Sequence, residues 1–151
     1  MKARVTGSAS RYQRLDLRTH ADTRFHTEAR AWLEDALRMD DLLFVPWMTI
    51  LGVIRITTNR KAMALPVAAP IAMTFVRSLL SHEHVAIPSP GPRHLEILES
   101  MAVRYDLRGP DLSDAHLAAL AVEHDLTLVS FDHDFEAFVE VRVLNPAALA
   151  H

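Results

Sequence analysis

Short apolar runs alternate along this chain with longer segments of helical periodicity, and this alternation limits the folds that the chain can adopt. Runs of this length, bounded by polar or turn residues, are typical of buried strands. Strands that alternate with helices form a parallel sheet covered on both faces. We therefore predict a three-layer α/β/α sandwich with a mainly parallel sheet, whose clearest strands are 42–45, 85–87, 126–129 and 141–144.

The intervening segments carry apolar residues at helical spacing. The first helix is predicted to start at Asp22 or Thr23, and its apolar face consists of Ala29, Trp32, Leu33, Ala36 and Leu37. A second helix is predicted at about 47–58, and a third starts between Pro66 and Pro70 with an apolar face of Ala68, Ala72, Phe75, Val76 and Leu79. A fourth is marked by Leu95, Leu98, Ala102 and Tyr105, and a fifth runs from Asp111 or Ser113 to His124.

The composition restricts the chemistry. The length of 151 residues suits one domain, and a 50% apolar content suffices for a core. Apolar stretches are all shorter than the roughly 18 residues that span a bilayer, so we expect a soluble, cytoplasmic protein without membrane contact. Because cysteine is absent, a metal ion must bind to carboxylates or to the nine histidines. A hard, oxygen-preferring cation is the default candidate.

Charge is distributed unevenly around the net value of -3. Residues 1–20 contain five cations and the single acid Asp16, and they show little apolar periodicity. Residues 106–140 contain nine carboxylates against the single cation Arg108. Divalent-metal chemistry is therefore expected in the later segment, and 1–20 is set apart as an atypical N-terminal segment before a domain at 21–151.

Three aspartates in the acidic segment are the candidate catalytic and metal-binding residues. Asp114 falls in the first turn of the fifth helix, and Asp132 and Asp134 follow a strand at the sheet edge where parallel sheets bind ligands. Carboxylates held close together repel one another unless a cation neutralises them. Mg²⁺, or Mn²⁺, accepts carboxylate oxygens and a substrate phosphate, and can polarise that phosphate and supply hydroxide. The pattern indicates phosphodiester hydrolysis.

Structural roles compete with these assignments. An aspartate in a first helical turn is commonly a cap, and aspartates after a strand are commonly turn formers. His116 is expected to be structural rather than a ligand, whereas His133, between two aspartates, is a better ligand candidate. Trp32 and Trp47 are expected to pack in the core or between helices.

The order of helices and several strings from His26 to Pro146 resemble the PIN-domain toxins of the VapC family. The most specific strings are SDAHLAALA at 113–121 and SFDHDF at 130–135, and the others are HTEARAW, GVIRITTN, GPRH and Asn145-Pro146. The resemblance implies a Mg²⁺-dependent cytoplasmic ribonuclease that is inhibited by a VapB antitoxin and usually forms a homodimer. It assigns Asp114 and Asp132 as metal-binding catalytic residues with Asp134 in support. Arg55 and Asn59 match a recurrent string, for which helix-end structure is the favoured interpretation.

Two positions depart from the family pattern. The second helix lacks the glutamate that many PIN domains carry there, although the most similar subgroup often lacks it too. Family members also open with a buried strand that ends in a motif like D-x-N-V-x-x-Y-A, and counting back from His26 places its aspartate at Arg11. Because a guanidinium does not lose its charge, we expect weak Mg²⁺ binding, poor RNA cleavage and an N-terminal region that lies loose against the domain.

The missing motif is present in another reading frame. Residues 11–19 are compatible with codons that, read one base later, encode DINVWIYAH, which is the family motif in its expected place. We hypothesise that the residues before about His20 come from a shifted frame with compensation near 20–22. Sequencing the 5′ end of the gene tests this, and a clean gene whose homologues share the present frame would refute it.

Two other functions remain open. A catalytically silent PIN scaffold could bind the antitoxin through helices near residues 22–60 and act by titration. A receiver-like domain with an acidic phosphoacceptor pocket is less favoured, because the lysine that receivers keep late in the chain is absent and only Lys2 and Lys61 occur. The sequence does not identify RNA-binding residues or the RNA target.

Overall fold

The structure is a computed structural model that describes residues 12–16, 23–38 and 42–149, with the backbone alone for 12–16, 23–30 and 148–149. Its strands are β1 (Tyr12–Asp16), β2 (Leu42–Phe44), β3 (Val85–Ala86), β4 (Thr127–Ser130) and β5 (Arg142–Leu144). Its α-helices are α1 (Thr23–Arg38), α2 (Trp47–Thr57), α3 (Ala69–Leu80), α4 (His94–Arg104) and α5 (Asp111–Glu123). Short 3₁₀ helices follow at His133–Ala137 and Pro146–Leu149.

The strands form one parallel sheet in the order β3-β2-β1-β4-β5. Parallel neighbours need crossover connections, and because these are right-handed, crossovers that run in opposite directions across the sheet place their helices on opposite faces. The predicted α/β/α sandwich with a parallel sheet is confirmed. The order reverses direction between β1 and β4, which in open parallel sheets is where a crevice opens at the carboxyl ends.

Two apolar clusters cover the two faces of the sheet. One joins α4 and α5 to Leu128 of β4, and the other joins α1, α2 and α3 to Val129. Successive strand residues point to opposite faces, which is why these neighbours belong to different clusters. Within α5 the side chains of residues 117–121 are all buried, and its small alanines allow α4 to pack closely.

The central strand of the sheet, β1, contradicts one expectation from the sequence. The N-terminal region, with its polar run from Arg11 to Arg18, was expected to lie loose against the domain. Its residues 12–16 nevertheless form β1, which pairs with β2 on one side and with β4 on the other. Strand pairing uses backbone N–H and C=O groups, which every residue except proline supplies whatever its side chain. Arg11 lies outside the described residues.

Helix faces were predicted less well than helix positions. In α3, Ala72, Val76 and Leu79 are buried as predicted, but Phe75 is half exposed. Ala68, which precedes the helix as its N-cap residue, is exposed. In α4, Leu95, which was predicted to be on the apolar face, is exposed, whereas Met101, which was not, is buried. Both helices border a second helix as well as the sheet, so the buried stripe is displaced from the one that simple periodicity gives.

The two tryptophans also differ. Trp32 of α1 is partly buried against the second cluster, as expected, whereas Trp47 at the start of α2 is exposed, so its predicted packing role is wrong. Val45 and Pro46 before it are buried and fix the turn from β2 into α2. Among the described residues no helix has both the length and the apolar character that a bilayer crossing requires.

The core should be sensitive at β4. Replacement Leu128→Ala removes a fully buried side chain and is expected to lower the free energy of unfolding by about 2–5 kcal/mol, since both transfer energy and packing are lost. Urea denaturation followed by circular dichroism measures this value. The matched change Val103→Ala, at an exposed position of α4, should alter it by less than ~0.5 kcal/mol, and equal effects at both positions would contradict the described core.

Candidate functional site

The candidate site lies at the carboxyl edge of the sheet, where β1 and β4 end side by side. Asp16, the last residue of β1, is in register with Ser130, the last residue of β4. Asp132 follows two residues later. This edge coincides with the reversal of strand order, the usual ligand position in open parallel sheets.

Asp114 is placed by the first turn of α5. The helix begins at Asp111 after its N-cap residue Pro110, which makes no side-chain capping hydrogen bond. Asp114 is partly buried and its Oδ1 atom is fully covered, whereas Asp111 in the same turn is exposed. The N-terminal end of a helix favours a negative charge. Asp114 therefore lies where a negative charge is favoured, with one of its oxygens inside the protein.

The turn after β4 is fixed by a short chain of hydrogen bonds. The buried Oγ atom of Ser130 accepts a hydrogen bond from the Asp132 backbone N–H at 3.0 Å. Oδ1 of Asp132 accepts one from the Asp134 backbone N–H at 2.9 Å and so caps the 3₁₀ helix. Asp132 is thus a turn former, as the competing interpretation proposed, and its Oδ2 atom has no part in this cap. Asp134 is exposed.

The donor chemistry of this edge suits Mg²⁺, because Asp132 supplies carboxylate oxygens there. The three predicted aspartates do not by themselves form a ligand group, since within the described part of the chain no three His, Asp or Glu residues are arranged to hold a metal ion. The side chain of Asp16 lies outside that part. Asp16 was not predicted as a site residue, because counting from His26 directed attention to Arg11, and only the β1–β4 register reveals its position.

The two histidines that the sequence analysis considered both make side-chain contacts within the protein. His133 is exposed, and its Nδ1 atom pairs with Oε1 of Glu136 at 2.9 Å. His116 is partly buried and its Nδ1 atom lies 2.9 Å from Nε2 of His94. The role expected for His116 therefore agrees with the structure, and nothing in these contacts favours His133 as a ligand.

Arg55 and Asn59 belong to the end of α2. Oδ1 of Asn59 accepts a hydrogen bond from the Lys61 backbone N–H at 2.8 Å, which fixes the turn after the helix. Arg55 is exposed in the last turn. This geometry is the helix-end structure that the sequence favoured for Asn59.

Glu123 connects α5 to the loop before α4. Its side chain is largely buried, with 7% exposed, and accepts hydrogen bonds from the backbone N–H groups of Gly91 at 2.9 Å and Arg93 at 3.1 Å. Nδ1 of His94 lies 3.4 Å from its Oε2 atom. Burial opposes ionisation, but the two backbone hydrogen bonds and nearby His94 and His124 outweigh it and lower the pKa of Glu123 below its ordinary value of 4.5.

Replacement Glu123→Gln should therefore have a pH-dependent cost. A carboxylate whose pKa is lowered by folding stabilises the native state fully above its unfolded pKa and loses that contribution as the pH falls through the folded value. We expect a loss of about 1–3 kcal/mol at pH 7 and a smaller loss in acid, below pH 4.5. Denaturation at several pH values measures it, with the exposed Glu99→Gln as control. A cost independent of pH would contradict this role.

Comparison with known proteins identifies the class. The family model described as PIN domain matches residues 17–141. A solved structure, the crystal structure of VapBC2 from Rickettsia felis bound to a DNA fragment from their promoter, contains a chain with a TM-score of 0.60 at 13% identity. The match covers 89% of this chain and 97% of that one, and shows a shared fold.

Curated relatives define the family more narrowly. Ribonuclease VapC25 of Mycobacterium tuberculosis is 37% identical over 121 residues, which are 80% of this chain and 85% of the relative. Ribonuclease VapC43 of the same organism is 35% identical over 126 residues, which are 83% and 86% of the two chains. The chain belongs to the VapC family of PIN-domain proteins.

Proposed function

We propose that this protein is the ribonuclease toxin of a VapBC-type toxin-antitoxin system and hydrolyses RNA phosphodiester bonds with the help of Mg²⁺. The observation that carries the proposal is the position of Asp114 and Asp132 in a chain of this family. Asp114 lies partly buried at the start of α5, and Asp132 follows the end of β4. The proposed ribonuclease activity is inferred from relatives that are named ribonucleases.

Each side chain has a distinct part in the proposed mechanism. Asp114 and Asp132 would hold the cation, with Asp134 supporting them and Mn²⁺ as a possible substitute. The bound cation would polarise a phosphoryl oxygen and lower the pKa of a water molecule. Asp114 would contribute a carboxylate at the helix N-terminus, where a negative charge is favoured. The Ser130 hydroxyl and the Asp134 backbone N–H hold Asp132 in one orientation.

The activity is proposed to be impaired relative to the family. The aspartate expected at position 11 is replaced by Arg11, and a permanent positive charge near a cation weakens its binding. The cognate VapB antitoxin, a homodimer and action in the cytoplasm are further parts of this proposal. A catalytically silent scaffold that binds the antitoxin is the second candidate, favoured by the departure at position 11.

Removal of the metal tests the enzyme against the scaffold. The purified chain should cleave a mixed RNA substrate in Mg²⁺, lose that activity in excess chelator, and recover it when Mg²⁺ or Mn²⁺ is restored. Gel electrophoresis of end-labelled RNA measures the rates. Cleavage that survives the chelator would contradict the metal mechanism, and cleavage absent at every Mg²⁺ concentration would favour the scaffold.

A further inference from the structure

The indole of Trp47 is exposed at the start of α2, although tryptophan is on average a highly buried residue. Its side chain is 56% exposed. Within the described part of the chain, no ring contact or hydrogen bond involves this indole. A large aromatic ring therefore lies at the surface and is not covered by these residues.

The backbone that carries Trp47 is fixed on both sides. Val45 and Pro46 before it are buried, and the Val45 backbone N–H donates a hydrogen bond to the Ala86 carbonyl oxygen at 2.9 Å. The Ile50 backbone N–H donates one to the Pro46 carbonyl oxygen at 3.0 Å. The indole is thus attached to an ordered turn, which lowers the entropic cost of binding a ligand.

Trp47 lies at the same edge of the sheet as the candidate site. Phe44, the last residue of β2, is in register with Arg14 of β1, and β1 ends two residues later at Asp16 beside Ser130. Only β1 separates β2 from β4, so the carboxyl ends of these two strands are about 10 Å apart at a strand spacing of ~4.8 Å. The start of α2 and the end of β4 therefore border one stretch of this edge.

A nucleobase is the ligand that this position favours. The phosphate of the proposed substrate would lie beside Asp132, and about three stacked nucleotides at ~3.4 Å each span the distance from there to the start of α2. Residues 42–82 contain no aspartate or glutamate, so no carboxylate of this segment repels the RNA backbone. Aromatic side chains bind single-stranded RNA by stacking on its bases.

We propose that Trp47 stacks on an unpaired nucleobase close to the scissile phosphate and gives the protein a preference for adenine over uracil at that position. The preference follows because the larger ring system of a purine stacks more strongly. This inference rests on the proposed ribonuclease function. Trp47 would not contact the reacting atoms, so its role is to determine specificity.

Binding of short RNA tests the stacking. Labelled oligoadenylate and oligouridylate of equal length are titrated with the full chain in excess chelator, so that the RNA stays intact, and fluorescence anisotropy gives the dissociation constants. Oligoadenylate should bind more tightly, and Trp47→Ala should weaken its binding by about 10-fold. Equal affinities for the two RNAs, or oligoadenylate binding that Trp47→Ala leaves unchanged, would overturn the proposal.

Matched variants separate stacking from simple apolar contact. Trp47→Phe retains an aromatic face and should keep most of the affinity, whereas Trp47→Leu keeps a large apolar side chain without that face and should bind as weakly as Trp47→Ala. Leu51→Ala and Leu95→Ala, at positions that are 59% and 65% exposed, should leave the affinity unchanged. Thermal melts verify that the variants fold. Full affinity in Trp47→Leu, or an equal loss in either control, would overturn the proposal.

Tryptophan fluorescence reports the contact directly, because the chain has only Trp32 and Trp47. In the variant Trp32→Phe all indole emission comes from Trp47, and oligoadenylate should quench it in excess chelator. An abasic oligonucleotide of the same length and charge should leave the emission unchanged. Quenching by both oligonucleotides, or by neither, would overturn the proposal.

Cleavage assays keep this inference apart from the ribonuclease proposal. Asp114→Asn should lose cleavage and retain the quenching of Trp47. Trp47→Ala should raise the KM for adenine-containing substrates, leave kcat nearly unchanged and abolish the preference for adenine over uracil. A variant Trp47→Ala with unchanged KM and preference would overturn this inference alone. Quenching without cleavage in the unaltered chain would overturn the ribonuclease proposal alone.

Sedimentation of the RNA-free chain tests a second copy as the occupant. If the chain forms a dimer that Trp47→Ala dissociates, the indole is buried against a second copy and the proposal is overturned. An oligomeric state that is the same with and without Trp47→Ala supports the nucleobase.

Discussion

Replacement Asp114→Asn is expected to lower the rate of RNA cleavage by roughly 100- to 1000-fold. The amide keeps the size and shape of the side chain but removes the negative charge that binds the cation. Because its Oδ1 atom is buried, water cannot readily reach this position and compensate for the lost negative charge. Initial rates on end-labelled RNA at saturating Mg²⁺ measure the effect.

The same helical turn offers a control. Asp111 is exposed and also lies in the first turn of α5, so Asp111→Asn changes the net charge and the helix dipole interaction equally. It should retain nearly full activity. Activity that survives Asp114→Asn, or that falls equally in both variants, would remove Asp114 from the proposed site.

The frame-restored chain, with DINVWIYAH in place of residues 11–19, is expected to bind Mg²⁺ at least ~10-fold more tightly and to cleave RNA correspondingly faster. Position 11 would then carry a carboxylate in place of the guanidinium of Arg11, and position 16 an isoleucine in place of Asp16. Because β1 ends at Asp16 here, whereas the family strand ends at the motif's aspartate, this gain requires the strand register to shift until position 11 reaches the carboxyl edge beside Ser130. Calorimetric Mg²⁺ titration and cleavage assays of both chains measure the change.

The variant Asp16→Asn, made in the chain without the restored motif, tests whether Asp16 or position 11 supplies the N-terminal carboxylate. Asp16 ends β1 in register with Ser130, whereas Arg11 lies outside the described residues. If the chain as written matches the restored chain in Mg²⁺ affinity and loses activity in Asp16→Asn, the proposed impairment is wrong and Asp16 supplies the charge. If Asp16→Asn has no effect and restoration raises the rate, the impairment is supported.

Sequence patterns predicted most helices and strands, because the periodicity of apolar residues is a property of each short segment. The positions of α1, α2 and α5 and of strands β2, β4 and β5 agree with the sequence to within one or two residues. β1 was not predicted, since its polar residues lack the alternation by which strands are recognised, and pairing on both sides is a property of the assembled sheet. The exposure of Phe75 and Trp47 likewise depends on neighbouring elements.

The candidate site was also predicted from the sequence only in part. Residue type and spacing singled out Asp114 and Asp132, and the structure adds that Oδ1 of Asp132 caps the following helix. The role of Glu123 was not predicted, because its partners Gly91 and Arg93 are about thirty residues away in the chain. Contacts of such separation leave no periodic signal in a sequence.

The sequence by itself determined the class of fold, the absence of cysteine chemistry and the acidic residues around which a hard cation could bind, because these depend on composition and short-range periodicity. The tertiary structure decided the strand order, the place of Asp16 beside Ser130, and the apolar side chains of α2 and α3 that remain uncovered. These depend on which distant segments pack together, and burial against another element is a property of the folded chain as a whole.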